Sequence, residues 1–229
     1  MRERDLSEKI NSLIRQQSWD RARALLNKEL EKSPKSHWLL TQLGVTWYEQ
    51  RKYKQAMKFF LASARIVPDC PLTLWNLAGA LDALGHPGGA LRVYTLLLQS
   101  TTSHEDDSCW ESQEWTDALK ADCVYRVGTC LEKIGKNQKA KHCYQQYLNL
   151  LMTGIGGTYS EEAVMDRIRG LQGSGKRSAA NDAKKAFSAA LDALGLLRKT
   201  GRSATPPRIN LERLAASSLQ AGKHPLSGR

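Results

Sequence analysis

Beyond residue 172 the chain has no tryptophan and no tyrosine: all six Trp and all seven Tyr lie at or before Tyr159, and only Phe187 follows among aromatics. A segment so poor in large rings has little from which to build a core, so the packed domain is expected to stop near residue 172. No run of eighteen apolar residues exists, which excludes a membrane-spanning helix in the sequence given. The start MRERDLSEKI carries both charge signs with no apolar segment behind it. No secretory signal is therefore expected, and a cytoplasmic location is the default.

There is no C-x-x-C pair either. The five cysteines, Cys70, Cys109, Cys123, Cys130 and Cys143, are odd in number, which argues against a disulfide framework and against a standard zinc site. The one metal arrangement left open joins Cys109, Cys123, His142 and Cys143, and the expectation is that no metal is held. No His sits in a Ser, Cys or Glu constellation. The one near-match to a phosphate loop, Gly170-x4-Gly175-Lys176, has Arg177 where Ser or Thr is needed and follows a helical pattern rather than a strand. Neither catalytic residues nor a cofactor are expected, and the chain reads as a non-enzyme.

What is present is basic charge and helical periodicity. Residues 173–229 hold eleven Lys or Arg and three Asp or Glu, so +8 of the chain's formal +11 belongs to this tail. The other feature is a period of 34 residues. Leu40, Leu43-Gly44, Trp47, Tyr53, Ala56, Phe60 and Pro68 recur one period later as Leu74, Leu77-Ala78, Leu81, Pro87, Ala90, Tyr94 and Thr102. One period earlier they are Leu6, Lys9-Ile10, Leu13, Trp19, Ala22, Leu26 and Pro34. After an extra sixteen residues a fourth copy reads Val124, Val127-Gly128, Leu131, Asn137, Ala140 and Tyr144.

The spacing within each copy predicts two amphipathic helices packed as a hairpin, with small residues at Gly44, Ala78, Gly128 and at Ala56, Ala90, Ala140 letting the pair approach. Gly85 and Gly135 suit left-handed helix ends. One hairpin cannot bury its own apolar face, so the copies must stack.

These residues, their order and their period resemble the tetratricopeptide repeat. The resemblance implies an all-α, right-handed solenoid of helix hairpins. The repeats would be 3–36, 37–70, 71–104 and 121–154, with an insertion at 105–120 and a capping helix within 158–171 that carries Val164, Ile168 and Leu171 as its apolar stripe. Thr158 and Glu161 form a candidate capping box for that helix. Trp115, Ala118 and Leu119, at the end of the insertion, are placed to extend the helix that follows.

In this family the first helix of each hairpin lines the concave face, and ligands are usually peptides lying there. Carried onto this chain, that implies a groove formed by Trp38, Gln42, Tyr48, Trp75, Asn76, Tyr125 and Arg126. The aromatics would hold apolar side chains, and Asn76 and Arg126 a peptide backbone or carboxylate. Members that grip the carboxyl terminus of heat-shock chaperones use a Lys-Asn-Asn-Lys-Arg clamp. Here the corresponding set is Thr41, Val45, Asn76, Asp122 and Arg126, of which only Asn76 and Arg126 match.

The implied function is an adaptor or scaffold that binds a peptide segment or helix of another protein. A second reading is a chaperone of the type III secretion kind, although the usual three-repeat form lacks the insertion and the tail. A third gives the work to residues 173–229, with an amphipathic basic helix at 179–199 meeting nucleic acid or an anionic membrane. The rest of the tail is expected to be partly disordered. Because the insertion is acidic and aromatic, a contact between tail and insertion within the chain is also open.

Overall fold

The computed structural model describes residues 3–100, Cys109 and 112–172. The amphipathic helix expected at 179–199, the tail–insertion contact and residues 105–108, 110 and 111 of the insertion fall outside the described residues. Among the described residues the regular structure is all helix: α1 Glu3–Arg15, α2 Trp19–Lys32, α3 His37–Glu49, α4 Tyr53–Ile66, α5 Pro71–Ala83, α6 Pro87–Gln99, α7 Gln113–Lys133, α8 Asn137–Met152 and α9 Glu161–Gln172. The first three hairpins start at residues 3, 37 and 71, one 34-residue period apart. α7 begins eight residues before the fourth copy's expected start at 121, and Ser112 caps it by accepting the Trp115 amide. The end of the insertion is thus two extra turns of helix.

The hairpins turn in the same way each time. Gln17, Arg51, Gly85 and Gly135 have φ of 55°, 57°, 81° and 76°. At each, the left-handed residue donates to a carbonyl three back and its successor to one five back, as in Arg51 to Tyr48 and Lys52 to Trp47. This paired bonding satisfies helix-end carbonyls that would otherwise be orphaned. Two of the four positions carry side chains where glycine is the natural choice, at about 1 kcal/mol each. The glycine signal alone therefore finds half of the turns.

Close approach within the pairs follows the small residues. A Cβ at Gly128 would lie 2.7 Å from the Tyr144 ring, and one at Gly44 would clash with the ring of Phe60. Ala56, Ala90 and Ala140 are fully buried opposite. Between hairpins, α3 touches α5 and α5 touches α7, whereas the second helices make at most weaker contacts with one another. The first helices therefore line the inside of the curve.

Three apolar clusters run along the stack. One, at the amino end, gathers Leu6, Ile10, Leu26, Trp38, Leu39 and Leu43. The central one spans α4 to α7 around Phe60, Leu74, Leu77, Leu81 and Tyr94. At the carboxyl end, Tyr125, Tyr144 and Tyr147 meet Val164, Ile168 and Leu171 of α9, the stripe the periodicity predicts. The cap itself differs from expectation. Ser160 accepts the Ala163 amide, while the Thr158 hydroxyl and amide both donate to Asp122. A buried carboxylate is the stronger acceptor, so Thr158 is held on α7 and the helix starts two residues later than a Thr158 cap would set.

Candidate functional site

The inner face of α5 and α7 carries a polar centre assembled by one repeated position. Phe60, Tyr94 and Tyr144 are equivalent residues of α4, α6 and α8, and all three rings are buried beneath the neighbouring first helices. Replacing Phe by Tyr adds a hydroxyl at the far end of the ring, and in both copies it meets a polar partner. Tyr94 Oη accepts from Arg126 Nε at 3.2 Å, and Tyr144 Oη donates to Glu132 Oε2 at 2.6 Å. Trp75 packs edge-on against the same Tyr94 ring, 5.5 Å between centroids. Tyr94 thus joins the indole of repeat three to the guanidinium of repeat four.

Arg126 Nη2 lies 3.1 Å from Asp82 Oδ2, and Lys133 Nζ lies 2.7 Å from Asp82 Oδ1. The Asp82 side chain is 4% exposed while Arg126 is 25% and Lys133 51% exposed. Two cations share one sunken carboxylate, which leaves a net positive charge facing outward. Burial by itself would lower the Arg126 pKa, but the Tyr94, Tyr159 and Asp82 oxygens outweigh it and the net shift is upward. The guanidinium stays charged at any working pH. Burial also raises the Tyr94 and Tyr48 hydroxyls, so both remain neutral.

The expected groove residues separate into groups. Trp75 and Arg126 come together through Tyr94, as above. Tyr48 lies edge-on to Tyr53 at 5.2 Å, and a Cβ at Gly79 of α5 would come within 3.3 Å of its hydroxyl. Gly79 therefore serves to seat Tyr48. Gln42 is half-buried on α3. Asn76 donates to the Leu72 carbonyl of its own helix at 2.8 Å.

Trp38 and Tyr125 are placed differently from the rest. Trp38 is 7% exposed and packs into the amino-end cluster, forming one wall of a cleft of about 520 Å³ with Leu6, Pro34 and Leu39. Tyr125 is 5% exposed, with the ring of Tyr159 stacked on it at 3.7 Å and Arg167 Nε donating to its hydroxyl at 2.8 Å. The segment that leads into α9 covers Tyr125. Asp122 faces this segment too. Tyr147 Oη lies 3.3 Å from its Oδ1 and accepts the Tyr159 amide at 3.0 Å.

Tyr94, Lys133 and Tyr159 were not among the expected groove residues. For Tyr94 a signal existed: tyrosine stands where the preceding copy has phenylalanine. For Tyr159 none did, because it belongs to the irregular link after the last hairpin.

The cysteines form two classes. Cys123, Cys130 and Cys143 are buried on α7 and α8, Cys123 Sγ donating to the Tyr94 carbonyl at 3.3 Å, and burial raises all three thiols, Cys130 and Cys143 to about 12. They do not converge with Cys109 as the sequence left open. Cys109 instead packs in the amino-end cluster with Cys70, its Sγ 3.3 Å from His37 Nε2. The Cys70 thiol is pulled down, first by its hydrogen bond with Cys109, with burial opposing and His37 and Thr73 adding to the shift.

Beside it lies a second polar cluster. The hydroxyls of Thr41, Ser63 and Thr73 approach one another at 2.8, 2.8 and 3.0 Å, all fully buried. Thr41 and Ser63 both also reach the His37 carbonyl, at 3.0 and 2.8 Å.

A family model described as a tetratricopeptide repeat matches residues 122–150, which covers most of the fourth hairpin. No curated protein matches the chain by sequence. Among solved structures, a MamA fragment from Desulfovibrio magneticus RS-1, residues 41 to the end, is similar with a TM-score of 0.58 at 14% identity, over 86% of this chain and 97% of that one. Another MamA crystal structure gives 0.56 at 17% identity, over 80% and 93%. At such identities the likeness speaks to the fold. Among the described residues no helix is long and apolar enough to cross a membrane.

Proposed function

Because the chain folds as a solenoid of tetratricopeptide repeats, we propose that it is a non-enzymatic protein-interaction module whose inner face, centred on Arg126, takes a peptide segment bearing a carboxylate beside an apolar side chain. The observation that carries this reading is the arrangement about Tyr94, which holds Arg126 in place while Trp75 lies against the same ring. A guanidinium already oriented by a hydroxyl and a buried carboxylate loses little freedom on meeting a second carboxylate. A half-exposed indole in the next repeat supplies apolar contact area at low entropic cost. Tyr48 extends the same face into repeat two, and Gln42 and Asn76 line it. Trp38 and Tyr125, being covered, contribute rigidity rather than contact.

The test is a displayed random-peptide library panned against the full chain. The expected outcome is enrichment of sequences that join Asp or Glu to an aromatic or branched residue. These peptides should lose at least about tenfold in affinity for Arg126→Ala and for Trp75→Ala, and keep it for Lys58→Ala, an exposed position on α4. Peptides that bind Arg126→Ala and the parent alike would overturn the reading.

A further inference from the structure

His37 is the first residue of α3, Cys70 is the residue that precedes α5, and Cys109 belongs to the insertion. Three segments distant in sequence thus bring one imidazole nitrogen and two sulfurs within 4.8 Å of one another. Cys70 and Cys109 are 0% and 3% exposed. Nothing about apolar packing requires three polarisable donors at one point.

The supports beneath the cluster are ordered. Thr41 and Ser63 both donate to the His37 carbonyl, and Thr73, one turn along the helix that Cys70 begins, bonds to both hydroxyls. This buried hydroxyl triad fixes the start of α3 against the start of α5, and so fixes the imidazole of His37 relative to the thiol of Cys70. Outer bonds of this kind are what hold metal ligands in register.

We propose that His37, Cys70 and Cys109 bind a zinc ion, with the fourth tetrahedral position left to water or an exogenous donor. Zn–S and Zn–N bonds of about 2.3 and 2.0 Å require an S···N edge near 3.5 Å and an S···S edge near 3.8 Å. The Cys109 Sγ to His37 Nε2 distance of 3.3 Å meets the first within a small adjustment. Two thiolates and a neutral imidazole cancel the charge of Zn²⁺, so the loaded site is neutral overall, which a buried location favours. Sulfur and imidazole donors exclude calcium and magnesium, which demand oxygen. Loading would release the two thiol protons and tie the insertion to the junction of repeats two and three.

The experiment uses the full chain, reduced and stripped of metal, titrated with Co²⁺ and then with Zn²⁺. The expected result is one cobalt per chain, with a near-ultraviolet thiolate-to-cobalt band and the intense visible bands of tetrahedral geometry, all abolished by one equivalent of zinc. Cys70→Ser, Cys109→Ser and His37→Gln should each weaken uptake by at least about tenfold, while Cys143→Ser leaves it unchanged. Circular dichroism of each variant identifies any that fails to fold. Independently, zinc should slow alkylation of Cys70 and Cys109 in the unmodified chain and leave Cys123, Cys130 and Cys143 as they were. Absence of the thiolate band, uptake that survives in the folded ligand variants, or alkylation unaffected by zinc would each overturn the proposal. So would a Cys70–Cys109 disulfide as the state the chain adopts, with no uptake after reduction.

Discussion

At the carboxyl end of the stack a turn and a helix fold back over the last hairpin. Tyr159 lies flat on Tyr125, Asp122 takes two hydrogen bonds from Thr158, and three apolar residues of α9 are buried behind them. At the amino end the first hairpin is held more simply. Leu13, Ile14 and Trp19 stay half-buried, and the tie to repeat two includes the Arg23 guanidinium 4.0 Å over the Trp47 ring and bonded to Gln50. One end is a hydrogen-bond network around a buried carboxylate, the other a largely buried guanidinium laid on an indole. The repeat supplies neither, because an end has no next copy to satisfy it. Each is a local solution in residues that do not recur.

The comparison breaks most directly at Asp122. Asp122→Ala removes the charged acceptor of the Thr158 amide and hydroxyl, and should cost about 3 kcal/mol in urea unfolding. Hydrogen exchange should speed up across residues 158–172 while α1 to α4 keep their rates. Equal loss of protection at both ends would mean that the stack unfolds as one unit and the ends are not distinct.

Between the ends, the hydroxyl triad should behave more like the carboxyl network than like the amino tie. Thr41→Val removes one of the two hydroxyls that donate to the His37 carbonyl and should destabilise the chain by about 1–2 kcal/mol. The turns sharpen the contrast by sign. Arg51→Gly should raise stability and Gly85→Ala lower it, each by about 1 kcal/mol, since the same left-handed backbone is relieved in one and burdened in the other. Both are read from denaturation midpoints. Last comes the amino end, where Arg23→Ala should cost about 1 kcal/mol, between an exposed and a desolvated cation over an aromatic ring, since the Arg23 side chain is 11% exposed.

The repeating part of the molecule was legible in the sequence. Leu and Ala at fixed offsets carry the helices, because each is read against a neighbour that repeats the same offsets. Gln17 and Arg51 escaped notice as turn residues since nothing in their chemistry favours positive φ. They adopt it because the packed helices on either side leave no other path. At the inner face the spacing found Arg126 and Trp75, but not which aromatics would be covered. Tyr125 looks identical to a groove residue until Tyr159, from a link with no periodicity, is seen lying on it.

The same holds for His37, Cys70 and Cys109, whose meeting depends on how the insertion returns. It holds also for Ser160 and Thr158, where two candidate caps were separated by the reach of Asp122, a residue on another helix.

α7 runs without glycine or proline from Gln113 through Val127, so its first four turns form one straight, stiff rod. Its capped end follows Cys109 by three residues, and Arg126 sits fourteen residues along from Ser112, about 21 Å at the rise of an α-helix. A rod carries displacement where a loop absorbs it. Any tilt imposed where the insertion joins the stack arrives at the guanidinium as a shift of position, with Lys120, bonded to the Ser100 carbonyl at 3.2 Å, as the fulcrum.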